Sequence, residues 1–293
     1  MPRGAELIVG DLRERDDVLS LFSEHRFEAV LHFAAWASVG DSMLSPEGYF
    51  RNNLIGSLNL LEGMLLGQVK KIVFSSTCAV YGVPERLPIV ETLPRRPSNP
   101  YGLSKKVVEE ALEWYAEIHG LRFASLRYFN AAGATPERGE DHTPETHLVP
   151  IVLQVALGQR PHVELYGDDY PTRDGSCVRD YIHILDLASA HTLALQALAE
   201  KPRIICNLGT ETGSSVLEVI ECARQVTGHP IPVKLSPRRP GDPPTLVADS
   251  SLARRELGWE PEHTTLEPII RSAWDWHRTH PQGYASEVGA ASA

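Results

Sequence analysis

Apolar positions along the chain fall into two alternating rhythms. Short runs apolar on both faces stand at "ELIV" (6–9), "AVLHFA" (29–34), "KIVFSS" (71–76) and "RFASLRY" (122–128). Between them lie stretches with helical spacing near 14–25, 46–66 and 100–119. Strands buried on both faces and separated by helices predict an α/β fold, a doubly wound parallel sheet. Beyond about residue 130 the rhythm changes. A Gly/Pro/Glu-rich loop, a helix near 147–158, a strand at "VELYG" and further α/β pieces predict a smaller C-terminal region capping the sheet edge.

One helix carries an anomaly. Ser98 or Asn99 suits an N-cap, Pro100 suits the first helical position, and Gly120 is a natural stop. The apolar stripe runs through Val108, Leu112 and Tyr115, with Val107, Ala111 and Ile118 beside it. Continued backward, it lands on Lys105 and Tyr101, four residues apart on one face. An unpartnered buried ammonium costs several kcal/mol, so Lys105 needs a reason. A tyrosine hydroxyl titrates near 10, and bringing it to about 7 takes about 4 kcal/mol. A close lysine supplies part of that, and a positively charged nicotinamide ring supplies more. The tuned tyrosine could then take a proton from a sugar hydroxyl while the ring takes a hydride. Tyr-x-x-x-Lys also arises by chance on amphipathic helices, and alone it decides nothing.

The expected strand ends add to it. His32 and Phe33 precede two small alanines, Ser75, Ser76 and Thr77 close another strand, and Asn130 follows a third. Each could simply cap a turn. Together they converge on the carboxyl edge where ligands of such sheets bind.

Composition narrows the classes without naming one. The 293 residues are 42% hydrophobic and 23% charged, a globular composition, and the net charge of −10 argues against nucleic acid as a partner. No apolar run approaches the ~20 residues of a membrane span, and no signal-peptide pattern stands at the start. Cys78, Cys177, Cys206 and Cys222 show no metal-ligand spacing, so no metal and a reduced cytoplasmic setting are expected. The last ten residues, "YASEVGAASA", read as a frayed tail.

Seven blocks in order carry a resemblance: "LHFAAWASVGDS", "FSSTCAVYG", "NPYGLSK", "LRYFNAAG", "DGSCVRDYIHILDLASAH", "CNLGTETGSSV" and "RRPGDPPTLVADSSLA". The chain resembles the extended short-chain dehydrogenases/reductases of the NAD-dependent epimerase/dehydratase family, nearest to its UDP-glucose 4-epimerases. The resemblance implies NAD as cofactor, a UDP-sugar as substrate, a homodimer formed through the 46–66 and 100–119 helices, and transient oxidation at sugar C4. It implies a Rossmann-like dinucleotide-binding domain over 1–130 and a mainly substrate-binding region over 131–284, some of whose elements return to the first. Tyr101 would be the base at the 4-hydroxyl. Lys105 would bind the nicotinamide ribose and lower the Tyr101 pKa. Thr77, with Ser76, would hydrogen-bond the reacting hydroxyl. Asp11 and Leu12 would flank the adenine, Phe33, Ala34, Ala35, Asn53 and Ser75 would line the cofactor, and Tyr128 would lie near the nicotinamide. On the nucleotide-sugar side would stand Asn130, Leu148, Arg179, Arg239 and Asp242; arginine's fork suits a diphosphate.

The related 4,6-dehydratases need acidic residues after the strand-end threonine. Here Cys78 and Ala79 follow Thr77, which favours epimerisation. Other departures are local. Trp36 and Ala37 replace a Leu-Lys pair, Leu246 stands at the sugar-pocket gate, and His147 precedes Leu148 where relatives carry Asn. The family's Gly-rich strand–turn–helix unit is not found before "GDLR" (10–13), and no G-x-x-G-x-x-G occurs anywhere. The expectation is therefore a sequence that starts inside a longer, N-terminally truncated Rossmann-like fold. The alternatives are an epimerase of another UDP-sugar (N-acetylhexosamine or pentose) and a non-catalytic nucleotide-binding remnant.

Overall fold

The computed structural model describes residues 4–239 and 241–284, so the expected tail beyond Tyr284 lies outside the described residues. The chain divides into two compact units: Met1–Gly82, Arg95–Ser125 and Ala194–Ile204 form the first, and Val83–Pro94, Leu126–Leu193 and Ile205–Ala293 the second.

The first unit opens with α1 (Arg15–Glu24), β1 (Val30–His32), and the short helices α2 (Val39–Leu44) and α3 (Pro46–Tyr49). A π-helical segment, Phe50–Ile55, runs on into α4 (Gly56–Leu66), so the expected 46–66 helix forms with one widened turn inside it. Such turns are rare and recur at functional positions. β2 (Lys71–Thr77), α5 (Pro100–His119) and β3 (Arg122–Tyr128) follow. Val18 and Phe22 of α1, Leu60, Leu61 and Met64 of α4, and Ile72, Val73 and Phe74 of β2 are buried. β1 and β2 pair in parallel, with His32 beside Phe74.

The expected strand "ELIV" does not form. Residues 6–9 are irregular, and Leu7, Ile8 and Val9 are exposed. An apolar run becomes a strand only when a neighbour takes its hydrogen bonds, and none of the described strands does so.

Helix α5 obeys its local signals. The Asn99 side chain accepts from the Gly102 amide at 2.8 Å, Pro100 opens the helix, and Gly120 closes it in the left-handed conformation. Gly102 answers to packing: a Cβ there would lie 2.4 Å from the Ala79 carbonyl oxygen. The turn after β2 therefore approaches the first turn of α5 closely enough to exclude any side chain.

The second unit carries β4 (Asn130–Ala132), α6 (Leu148–Ala156), β5 (Val163–Tyr166), β6 (Val178–Arg179) and β7 (Tyr181–His183), while α7 (Ile184–Ala197) and β8 (Arg203–Leu208) each have residues in both units. Then come β9 (Ser214–Ser215), α8 (Val216–Thr227), β10 (Val233–Ser236), β11 (Thr245–Leu246), α9 (Ser251–Leu257) and α10 (Leu266–Thr279). The larger sheet runs β1-β2-β3-β8; smaller ones join β10 to β5, β11 to β6 and β9, and β4 to β7. The core of this unit gathers Val152 and Leu153 of α6, Val219 and Ile220 of α8, and Ile269 and Ile270 of α10. No described helix is long and apolar enough to cross a membrane.

Candidate active site

In the first unit the carboxyl end of β2 meets the first turns of α5. Lys105 is buried (3% exposed), and its Nζ donates to the Ser75 carbonyl at 2.8 Å while lying 4.7 Å from the centre of the Phe74 ring. Burial pushes its ammonium down to about 7, and the carboxylate of Glu109 partly opposes that. Glu109 is fully buried and is held by Ser76 Oγ at 2.6 Å and the Arg95 guanidinium at 2.8 Å. Tyr101, Lys105 and Glu109 thus continue one face at intervals of four residues. Tyr101 is half-buried, with its ring edge-on to Tyr49 at 6.4 Å between centres.

The three strand-end hydroxyl residues separate in role. Ser75 serves Lys105 through its carbonyl, whereas Ser76 turns its proton to Glu109. Thr77 Oγ1 accepts from the Ala79 amide at 3.2 Å, which leaves its own proton available to donate.

The segment after β1 is held from the π-helical turn. Asn53 is buried; its Oδ1 accepts from the Trp36 amide at 2.9 Å, and its Nδ2 donates to the Trp36 carbonyl at 3.0 Å and to Ser104 Oγ at 3.1 Å. That double grip fixes the backbone beside Phe33 and Ala34, which are exposed, and Ala35, which is half-buried. His32 is a core residue: its Nε2 lies 2.8 Å from Ser57 Oγ, and burial, then the charge of Lys105, pushes its pKa down to about 3. It is neutral at physiological pH. The Asp11 carboxylate sits against Arg13, whose hydrogen bonds push its pKa down to about 2. The Leu12 carbonyl accepts from Asn59 Nδ2 at 2.9 Å.

In the second unit two of the residues expected on the nucleotide-sugar side, Arg179 and Asp242, come together beside β6 and β11. Arg179 Nη1 donates to the Val178 and Pro243 carbonyls, both at 2.9 Å, and Nη2 stands 3.6 Å from the Asp242 carboxylate. Leu246 is the register partner of Arg179, so the expected gate residue does sit beside an expected diphosphate contact. Arg239 lies over the Tyr166 ring at 3.8 Å, and Arg238 over Tyr170 at 4.1 Å while pairing with Asp169. Asn130 opens β4 opposite Tyr181, and Leu148 is the first residue of α6. Tyr128 lies 6.2 Å, ring to ring, from His191. Between β6 and β7 the buried Asp180 accepts from Thr210, Glu211 and Ala248, a brace for this cluster.

Glu109 and the Asn53 grip are the components the sequence reading missed. For Glu109 a signal existed in the i, i+4, i+8 series from Tyr101. For the Trp36 grip none did, because it joins groups seventeen residues apart.

Comparison with known proteins places the chain among epimerases and dehydratases. A family model described as GDP-mannose 4,6 dehydratase matches residues 2–273. The chain is 53% identical over 281 residues to a UDP-glucose 4-epimerase of Halalkalibacterium halodurans, covering 95% of this chain and 84% of that protein. A crystal structure of a UDP-glucose 4-epimerase superposes with a TM-score of 0.93 at 47% identity, covering 97% of this chain and 87% of the other. The UDP-glucose 4-epimerase of Bifidobacterium longum, solved with NAD+ and UDP, gives 0.90 at 41% identity, covering 94% and 84%.

Proposed function

The chain belongs to the UDP-glucose 4-epimerase family of extended short-chain dehydrogenases/reductases, and from that premise we propose that it is an NAD-dependent isomerase interconverting UDP-glucose and UDP-galactose. The observation that carries the proposal is Lys105: an ammonium buried where the sheet's second strand ends, four residues from a half-buried tyrosine.

The residues present suit NAD. Of the three Lys105 ammonium donors, the Ser75 carbonyl takes one, which leaves donors for ribose hydroxyls. Phe33, Ala34 and Ala35 offer a small, clamped surface for a flat ring, with Asp11 and Leu12 toward the adenine. Bound there, NAD would supply a reversible hydride acceptor for sugar C4. Tyr101 accepts the 4-hydroxyl proton and later gives it back. Thr77 donates to the same oxygen, and Ser76, through Glu109, supports the charge on Lys105. In the second unit Asn130, Leu148, Arg179, Arg239 and Asp242 hold the nucleotide sugar, with Tyr128 toward the nicotinamide. On this reading 1–130 is the dinucleotide-binding domain and 131–284 mainly the substrate region. Turnover of UDP-galactose to UDP-glucose, with NAD released on denaturation, tests the proposal. A chain carrying NAD that leaves UDP-galactose unchanged but epimerises an N-acetylated or pentose UDP-sugar moves the substrate and keeps the chemistry.

The working form is proposed to be a cytoplasmic homodimer. Trp114 and Ile118 of α5 and Leu66 of α4 are exposed at 65%, 66% and 56%, more apolar surface than helices facing water normally carry. Light scattering is expected to give twice the chain mass, and a monomer at micromolar concentration refutes the dimer.

A further inference from the structure

We propose that Glu140, His142 and His147 form a divalent-cation site, suited to zinc, on the segment that leads into α6. One side-chain ligand atom from each lies within 4.8 Å of the other two. Two imidazoles and a carboxylate are a donor set that zinc takes readily. Tetrahedral zinc with bonds of about 2.0–2.1 Å needs ligand atoms ~3.3 Å apart, a contraction within reach of side-chain torsions on an exposed segment.

Two independent features point to a ligand. The first is the support behind His147. The buried Glu145 carboxylate holds His147 Nδ1 at 2.9 Å and accepts the backbone amides of Thr146 and His147 at 2.7 Å each. A carboxylate on one imidazole nitrogen fixes the tautomer and leaves Nε2 with its lone pair directed outward, the arrangement found behind metal-bound histidines. The second is the space the ligands face. They border a cavity of about 460 Å³, and His277 of α10 stands in its wall. His277 is only 8% exposed and makes no hydrogen bond among the described residues. It is an unpartnered imidazole in the cavity wall, outside the three-residue cluster itself. Glu140 and Asp141 border the same cavity against a single guanidinium, Arg138, so the site favours a cation.

None of these groups belongs to the redox cluster on α5. The ion's part is structural: it pins the 138–147 segment at the entry to α6.

The test uses the full chain, stripped of metal, titrated with zinc chloride against a chromophoric chelator. One zinc per chain is expected. His142→Ala and Glu140→Gln, both altering side chains outside the core, should each weaken binding at least tenfold with an unchanged circular dichroism spectrum. Cobalt(II) in place of zinc should give the visible absorption of a four-coordinate nitrogen/oxygen site, lost in His142→Ala. A wild-type chain that takes no zinc, or one whose zinc affinity neither substitution changes, overturns the assignment.

Discussion

Tyr101→Phe lowers kcat for UDP-galactose epimerisation by about 10²–10⁴-fold, while KM moves by only a few-fold. The figure is the usual worth of a positioned proton-transfer group, about 3–5 kcal/mol of transition-state stabilisation. The substitution removes one oxygen and little else. The phenyl ring keeps its edge-on contact with Tyr49, and the helix start set by Asn99 and Pro100 is untouched. The change leaves Arg179 and Arg239, the proposed substrate contacts, untouched, so the loss should fall on the chemical step. Steady-state kinetics with both UDP-hexoses supplies the measurement. A variant within threefold of wild type removes Tyr101 from the reaction, and the proposed mechanism with it.

The elements on which that argument rests were legible for a local reason. Helix α5 begins and ends where Pro100 and Gly120 say it must, and β3 covers the same residues that its short, doubly apolar run marks. Caps and periodicity act within a few residues, so one sequence displays them. What required the fold was every contact between elements. Glu109 sits beside Glu110 in the sequence, yet one is fully buried and the other half exposed. Glu109 faces inward, where Arg95 and Ser76, fourteen and thirty-three residues away, hold its carboxylate. The Asn53 amide is engaged at both backbone groups of Trp36, a contact that no local pattern displays. Residues 6–9 failed as a strand for the same reason, since an edge exists only where a partner lies alongside.

Lys105 is where function and stability pull apart, and Lys105→Met should show it. The native ammonium pKa falls from 10.5 to about 7 on burial. The unfolded chain therefore binds more protons than the folded one between about pH 7 and 10.5, and stability rises with pH across that window. Below pH 7 the full penalty applies, roughly 5 kcal/mol for a shift of that size; above 10.5 it vanishes. Methionine is close in volume and carries no charge. It forfeits the hydrogen bond to the Ser75 carbonyl, a loss of about 1–3 kcal/mol. The cofactor-free variant should accordingly be more stable than wild type by a few kcal/mol near pH 6, with the gain shrinking toward pH 10. Its epimerase activity should nonetheless fall at least 10²-fold, because the lysine's share of the support for the Tyr101 phenolate is then lost. Urea unfolding at several pH values, run beside the kinetics, reads both effects. A variant that is less stable at every pH would mean that Lys105 is held as a satisfied structural group. The strain assigned to it as the cost of catalysis would then be absent.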